Sequence, residues 1–509
     1  MKVCIVDPPK KIFSYFRGHV PAPAVTQLAA VVRREGYEVS IIDCNTMPDA
    51  WAGLESEIRR LKPDIVGISN KSTSYVNSAL NAALLVKQVD RRITVVGGGV
   101  HFSALPAESL AANGALDFIV IGEGEVTFSK LIRGLERKET DFSGIPGLAY
   151  RKGNGIVVTP ARRLIADLNT LPMPAYNLLP AASLTDPRDP VTGYRMPGMG
   201  LDSDHALMIS TSRGCFGRCL FCSETAFWDH TWRARDASRI VDEMELLVAT
   251  YGITTFFFAD SSFTWDRERV AEFKDELAAR DVGPISFAFQ TRAEHFLRDA
   301  DLIDRLKDRG LFLVVIGIES ALQPILDKFE KRQAIRTSES AMRLAKQKGL
   351  MLMTTVMWGD EDDTERDLWA TCDLVAPYSD HLALQISTPL PGTPYYEHAV
   401  ENGLIREKNW DRWDMISPVM GTRTLSMERI KRLQRQAVVK FHLSPRMIRE
   451  AYFSGNALLR RNHAYFLRIA WEEMTGRRWQ TNWRPFEEFM RERGVRVEET
   501  ETGACVIRA

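Results

Sequence analysis

Thr211-Ser212-Arg213-Gly214-Cys215-Phe216-Gly217-Arg218-Cys219-Leu220-Phe221-Cys222 is the stretch that decides how the rest of the chain is read. Of the seven cysteines, three fall between 215 and 222, while Cys4, Cys44, Cys372 and Cys505 are scattered. Thiolates hold iron–sulfur clusters, and a short loop can wrap one cube when its cysteines lie two or three residues apart. Three thiolates leave one iron of a 4Fe–4S cluster open to a ligand. A zinc site wants a fourth ligand and usually two separated pairs. Buried structural cysteines are the third reading. A secreted disulfide framework would scatter an even set through a short chain, so a tight triplet in a long chain points to a metal site in a reducing compartment.

Working outward, the motif follows a candidate strand at Leu207–Thr211. Further strand candidates are Thr255–Ala259, Ile285–Gln290, Phe312–Ile316, Leu352–Met357 and Leu382–Ser387, with helical patterns between them. Six such units suit a partial (β/α)6 TIM-type barrel, which places its chemistry at the C-terminal strand ends. Those ends carry Asp260, Gln290 with Arg292, and Glu319. A carboxylate suits an ammonium or ribose hydroxyls, and an arginine suits a carboxylate. Solvated strand termini explain the same residues without a ligand. Pro391-Gly392-Thr393-Pro394 reads as a structural turn after the last strand.

Upstream, Val3–Asp7, Val39–Asp43, Ile65–Ser69, Thr94–Gly97 and Phe118–Ile121 are β-branched runs separated by helical patterns. Five βα units read as a doubly wound parallel sheet, whose ligands sit beyond the carboxyl ends of the strands. Pro8 follows the first strand, and Ser69-Asn70-Lys71-Ser72 the third. Gly97-Gly98-Gly99-Val100-His101 closes the fourth, and Gly122-Glu123-Gly124-Glu125 the fifth. Glycine admits close approach of a ligand to the backbone. Tight βα turns are the plainer reading of any one glycine, but four small or polar loops at one sheet edge favour a large ligand. No GxGxxG follows the first strand, which counts against a dinucleotide.

The chain therefore divides into an α/β sheet domain at 1–140, a Pro- and Gly-rich linker at 141–204, a barrel at 205–395 and a helical domain at 396–509. The linker's Leu171–Tyr176 and 196–200 stretches read as breakers, and the residues from Arg493 as frayed. The helical domain is dense in Trp410, Trp413, Trp471, Trp479 and Trp483. These pack helices or floor a pocket. Arg460-Arg461 and Arg477-Arg478 would meet an acidic substrate or a carrier protein, or form a solvated helix face. At 509 residues the chain exceeds one core, which stops growing near ~250–300. Lys plus Arg and Asp plus Glu are each 66, so nothing advertises nucleic acid or an acidic membrane surface. The N-terminus does not read as a signal peptide and no apolar run reaches about 18 residues, so a cytoplasmic protein without a membrane span is expected.

CxxxCxxC with an aromatic before the third cysteine resembles the radical SAM superfamily signature. The order of the Pro-rich loop, the Ser-containing loop, GGGVH and GEGE resembles the cobalamin-binding domain that precedes many radical SAM cores. From Arg213 through Phe227-Trp228, then Arg233 to Asp236, the Asp260 loop and Arg292, the barrel is most similar to one branch. That branch includes the anaerobic magnesium-protoporphyrin monomethyl ester cyclase and cobalamin-dependent C-methyltransferases. The resemblance implies that Cys215, Cys219 and Cys222 hold a 4Fe–4S cluster. It places Phe221, Asp260, Gln290, Arg292 and Glu319 at S-adenosylmethionine. It places Pro8, Ser69, Asn70, Lys71, Ser72, Gly97, Gly98, Gly99, His101, Gly122 and Glu123 around cobalamin. Asp-x-His-x-x-Gly is absent, which implies cobalamin bound without histidine ligation, His101 near the corrin rim and Asn70 to Ser72 towards the lower face.

The activity implied is C-methylation of an unactivated carbon in a small molecule. An adenosyl radical takes the hydrogen and methylcobalamin delivers the methyl. An external one-electron reductant of the flavodoxin or ferredoxin type would feed the cluster. The alternatives are the cyclase-type oxidation of the substrate radical, and a non-catalytic cobalamin or iron–sulfur sensor.

Overall fold

A computed structural model of the chain describes residues 1–10, 19–185, 194, 205–475 and 484–507. The first sheet contains β1 (Lys2–Asp7), β2 (Glu38–Asp43), β3 (Ile65–Asn70), β4 (Thr94–Gly99), β5 (Phe118–Val120), β6 (Leu148–Lys152) and β7 (Gly155–Val158), in the order β2-β1-β3-β4-β5-β6-β7. Strands β1 to β5 are parallel. Their β-branched residues are buried on both faces, with Val66, Ile68 and Val95 on one side and Val3, Ile65 and Val96 on the other. The order reverses between β1 and β3, and in such sheets ligands bind at the carboxyl ends near that point. Strands β6 and β7 are antiparallel additions. They lie in the stretch expected to be a linker without elements. Lys152-Gly153-Asn154-Gly155 is a hairpin turn that the surrounding prolines and glycines mask.

The second sheet is the partial barrel. It comprises β8 (Ala206–Ile209), then a two-stranded ribbon of β9 (Ser212–Gly214) and β10 (Trp232–Ala234), then β11 (Thr255–Phe258), β12 (Ser286–Thr291), β13 (Leu311–Glu319), β14 (Met351–Trp358) and β15 (His381–Ile386). Six strands pair in the order β15-β14-β13-β12-β11-β8, all parallel. Helices Ala237–Tyr251, Arg267–Ala279, Ala300–Lys307, Ile335–Gln347 and Glu365–Val375 cover the outside. Along β14 and β15, Leu352, Val356, Trp358, Leu382, Leu384 and Ile386 are buried in the outer core. Thr355, Met357, Ala383 and Gln385, at the alternate positions facing the lumen, are only half-buried. A closed (β/α)8 barrel fills its interior with side chains; here Ala288, Leu313, Val315, Met351 and Met353 pack with Leu458 and Leu459 at the amino half, and the carboxyl half of the inner face is left open.

Helices Met427–His442, Pro445–Phe453, Ala457–Thr475 and Phe486–Arg491 follow, then β16 (Val497–Glu499) and β17 (Cys505–Ile507). The residues from Arg493 were expected to fray, and the structure corrects this. Strands β16 and β17 pair as a hairpin. Phe486, Phe489, Met490, Ala504 and Cys505 complete the core of the first sheet, around Trp51, Leu54 and Ala79. Their partners lie over 400 residues away in sequence, as in Trp51 Nε1 donating to the Arg484 carbonyl at 3.0 Å. Among the tryptophans, Trp413 packs with Phe329, Tyr395 and Met420, and Trp471 is 46% exposed. Trp479, Trp483, Arg477, Arg478 and the 196–200 stretch lie outside the described residues. No helix among the described residues is long and apolar enough to cross a membrane.

Candidate cluster and cofactor site

The loop between β9 and β10, residues 215–231, carries all three clustered cysteines. It is tied to the barrel at Leu220, whose N–H donates to the Phe329 carbonyl at 3.1 Å and whose carbonyl accepts from the Tyr395 N–H at 3.1 Å. Within the loop, Cys222 N–H donates to the Cys219 carbonyl at 3.0 Å, and Thr225 Oγ1 donates to the Cys222 carbonyl at 2.9 Å. Phe221 meets Phe329 edge-on at 5.4 Å, so its ring anchors the loop against the barrel.

Cys215 and Cys219 are buried and Cys222 half-buried. Burial pushes the Cys215 thiol up, and it pushes Cys222 up to about 12. Free thiols so placed are poor nucleophiles, whereas a metal deprotonates such ligands outright. Both also feel the charge of Cys219. Among the described residues, Asp7, His19 and Asp43 are the one trio of metal-ligating atoms all within 4.8 Å of one another, so at least one pair of the three cysteine sulfurs is more widely spaced. Thiolates sharing one zinc at ~2.3 Å would sit about 3.8 Å apart. The spread donor set fits a cluster, with one thiolate to each of three irons, better than a single ion.

Two cations and a carboxylate face this loop. Glu319, the last residue of β13, has φ +64, a left-handed conformation rare outside glycine and enriched at functional sites. Its Oε1 accepts from Lys331 Nζ at 2.7 Å. Burial opposes the Lys331 charge, but Glu319 and Cys219 hold the ammonium above its usual range. Arg292 Nη2 donates to the Lys331 carbonyl at 2.9 Å, and its Nε donates to Glu294. Both cysteines 215 and 219 act on Arg292 electrostatically. Gln290 is half-buried on β12, opposite Val315 of β13. Asp260 is different. One oxygen accepts from the Thr211 and Ser212 N–H groups at 2.8 and 3.0 Å, and the other accepts from Thr211 Oγ1. It braces the segment leading into the cysteine loop from within the protein and presents no oxygen to a ligand.

The carboxyl edge of the first sheet faces the barrel across a cleft of about 430 Å3. Ser69, Asn70, Lys71, Gly97, Gly98, Gly99, Gly122 and Glu123 line it on one side, with Met208, Ser210, Phe227 and Ala259 on the other. Gly98 and Gly122 leave the space that a flat ligand needs. A Cβ on Gly98 would meet only Val120 atoms, at 3.8–4.0 Å, and one on Gly122 would meet nothing within 4 Å. Lys71 stands exposed at this edge, and desolvation with help from Lys10 lowers its ammonium to about 8.

Three residues expected here lie elsewhere. His101 is buried under Trp410, with ring centroids 4.8 Å apart, and burial lowers it to about 4. Its ring packs into the seam between the sheet and the C-terminal segment and does not line the cleft. Ser72 bonds with Ser74 at 3.1 Å, inside its own turn. Pro8 gives its carbonyl to Asn45 Nδ2 at 3.1 Å, behind a buried group in which His19 and Tyr194 reach Asp43 at 2.8 and 3.0 Å. Glu123 does border the cleft, but its oxygens accept from Arg213 at 2.7 Å and Arg233 at 2.9 Å.

Comparison with known proteins matches residues 9–132 to the B12 binding domain and residues 209–375 to the radical SAM superfamily. The chain is a cobalamin-binding radical SAM enzyme. It is 29% identical over 462 residues to an uncharacterized methyltransferase of Pyrococcus horikoshii, covering 90% of this chain and 96% of the relative. It is 28% identical over 408 residues to the anaerobic magnesium-protoporphyrin IX monomethyl ester cyclase of Rubrivivax gelatinosus, covering 79% and 70%. Its fold is similar to that of the radical S-adenosylmethionine methyltransferase TsrM from Kitasatospora setae with cobalamin and a [4Fe-4S] cluster bound. There the TM-score is 0.64 at 18% identity, covering 93% of this chain and 99% of that one. In this radical SAM barrel, sequence reasoning missed Lys331, which sits in an irregular stretch after β13 with no periodicity to mark it. It also missed that Glu123 and Glu125 serve the cysteine loop; only their acidic character, next to Arg213 and Arg233 in the same reading, was a signal.

Proposed function

We propose that this enzyme is a C-methyltransferase that acts on an unactivated carbon of a small-molecule substrate. The observation that carries the reading is the open carboxyl half of the barrel's inner face. Its half-buried inward positions Met208, Phe257, Gln290, Thr355, Met357, Ala383 and Gln385 include no acid and no base, and His381, at the amino end of the same row, is buried against Phe466 with ring centroids 4.1 Å apart. Such a lumen can hold and orient a substrate and exclude water, but it cannot activate a C–H bond by proton transfer. The chemistry has to come from bound groups, and the donor sets fit them. Cys215, Cys219 and Cys222 would hold a 4Fe–4S cluster. Arg292, Lys331 and Glu319 would meet the carboxylate and ammonium of S-adenosylmethionine, with Gln290 and the Phe221 backbone beside them. Ser69, Asn70, Lys71, Gly98 and Gly122 would line the cobalamin cleft. When bound, the reduced cluster with S-adenosylmethionine supplies a carbon radical, and cobalamin supplies the methyl group.

An external one-electron donor of the flavodoxin or ferredoxin type and a cytoplasmic setting complete the proposal. The cyclase relative supports a second outcome for the same site, in which the substrate radical is oxidised and no methyl is added. Protein reconstituted anaerobically with iron, sulfide and cobalamin, then given methyl-labelled S-adenosylmethionine and a reductant, separates the readings. Methyl transfer yields both S-adenosylhomocysteine and 5′-deoxyadenosine. Deoxyadenosine without S-adenosylhomocysteine would refute the methyltransferase in favour of the cyclase-type outcome. Intact S-adenosylmethionine under reduction would leave only a sensor.

A further inference from the structure

The ribbon at the base of the cysteine loop is electrically incomplete by itself. Strands β9 and β10 pair so that Arg213 stands directly opposite Arg233. Like charges directly opposed on a two-stranded ribbon destabilise it. Both guanidiniums are also largely buried, at 13% and 11% side-chain exposure, and burying an unpaired charge is costly. Relief comes from the other domain. Arg213 donates to Glu123 at 2.7 Å and to Glu125 at 2.5 Å. Arg233 donates to Glu123 at 2.9 Å and to the Ile165 carbonyl at 2.6 Å. The second oxygen of Glu123 accepts from the Ile165 N–H at 2.6 Å. Trp228, inside the loop, lies under both cations, with centroid distances of 5.8 and 5.4 Å. The two glutamates begin the helix after β5, at the edge of the cobalamin cleft.

We infer that Glu123 and Glu125 are positioning residues: the B12-binding domain supplies the countercharge that sets the cysteine loop, and so fixes the cluster relative to the cobalamin cleft. Cys215 follows Arg213 by two residues, so a shift of the ribbon moves the first cluster ligand with it. The network makes correct geometry between the two cofactor sites conditional on domain docking. The inference rests on the methyltransferase reading only for its catalytic consequence. Arg233 deepens the dependence, because its Nε and Nη2 are already buried without a partner. Truncating one partner of a buried charge pair leaves the other uncompensated.

The test uses the full-length protein with Glu123→Gln and Glu125→Gln together, which keep shape and one acceptor oxygen each while removing both charges. Hydrogen exchange on the apo and reconstituted protein reads the ribbon directly. Amides of 212–214 and 232–234 are expected to exchange about a hundredfold faster, while those of β13 and β14 do not change. In turnover, 5′-deoxyadenosine formation should continue, while labelled methyl transferred per deoxyadenosine falls about tenfold or more, since small misplacements between reacting groups are that costly. Ribbon protection at the wild-type level, or both products falling in step, would overturn the inference. If the double variant does not fold, the charge-exchanged pair Glu125→Arg with Arg213→Glu must restore ribbon protection, and its failure would equally overturn it. A wild-type protein that makes no methylated product defeats the functional reading alone, because the exchange measurement needs no turnover.

Discussion

Gly214→Ala is the perturbation whose cost can be worked most directly from the geometry. Gly214 closes β9 immediately before Cys215, at φ +86. An alanine there carries the left-handed backbone penalty of ~1–2 kcal/mol. Its Cβ would also stand 2.9 Å from Trp228 Cβ and inside the contact radius of the Thr231 carbonyl oxygen. Backbone cannot swing aside as a lysine tip can, so the overpacking adds ~1–3 kcal/mol. Together these give about 2–5 kcal/mol against the native loop, which is roughly thirtyfold to several-thousandfold in its population. The assay is anaerobic reconstitution with iron and sulfide, scored by iron per chain and visible absorbance. The variant is expected to bind far less iron, while its far-ultraviolet circular dichroism stays at the wild-type level. Gly252→Ala is the control. Gly252 ends helix Ala237–Tyr251 at φ +67, with nothing within 4 Å of its added Cβ. It carries the dihedral penalty without the clash and should keep full iron. Wild-type iron in Gly214→Ala, or equal losses in both variants, would refute the reasoning.

Other expectations follow from single features of the structure. Gly98→Leu fills cleft space that only Val120 borders, so cobalamin retention on gel filtration should fall sharply with iron content unchanged. Phe489→Ala removes a fully buried ring from the core shared by the C-terminal segment and the first sheet. It should cost about 3–5 kcal/mol, seen as a lowered first transition in calorimetry, with the barrel transition unmoved. His101 is held neutral by burial to about 4, whereas an unfolded histidine titrates near ~6.5. The unfolded chain therefore binds the extra proton between these values, and this contribution is intact above pH ~6.5, falls with acidification and levels off below about 4. His101→Gln should flatten that part of a stability–pH curve measured by urea unfolding.

Much of this protein was legible in its residues. The β-branched runs of the first sheet are buried from both sides and those of the barrel on their outer face, so their apolar character marks them without any partner being known. The cysteine spacing is local, and so is the chemistry it permits. The small-residue loops after β3, β4 and β5 stood out for the same reason. What could not be read was which polar group faces a ligand and which faces the protein. Asp260, Glu123 and Pro8 were all assigned to ligands because they end strands. The structure ties Asp260 to Thr211 and Ser212, and Glu123 to Arg213 and Arg233, while Pro8 bonds to Asn45. A carboxylate at a strand end has the same sequence signature in either role; only the arrival of a distant donor distinguishes them.

The cysteine loop, the two series of βα units and the absence of a histidine ligand motif were determined by sequence alone, because each rests on neighbours a few residues apart. Tertiary structure decided the rest. It brought Lys331 to Glu319 and the cysteines, returned the C-terminal hairpin to the first sheet, and set an Arg213–Arg233 pair that Glu123 and Glu125 must neutralise. Those contacts join segments separated by tens to hundreds of residues, and burial is what makes each one strong enough to matter.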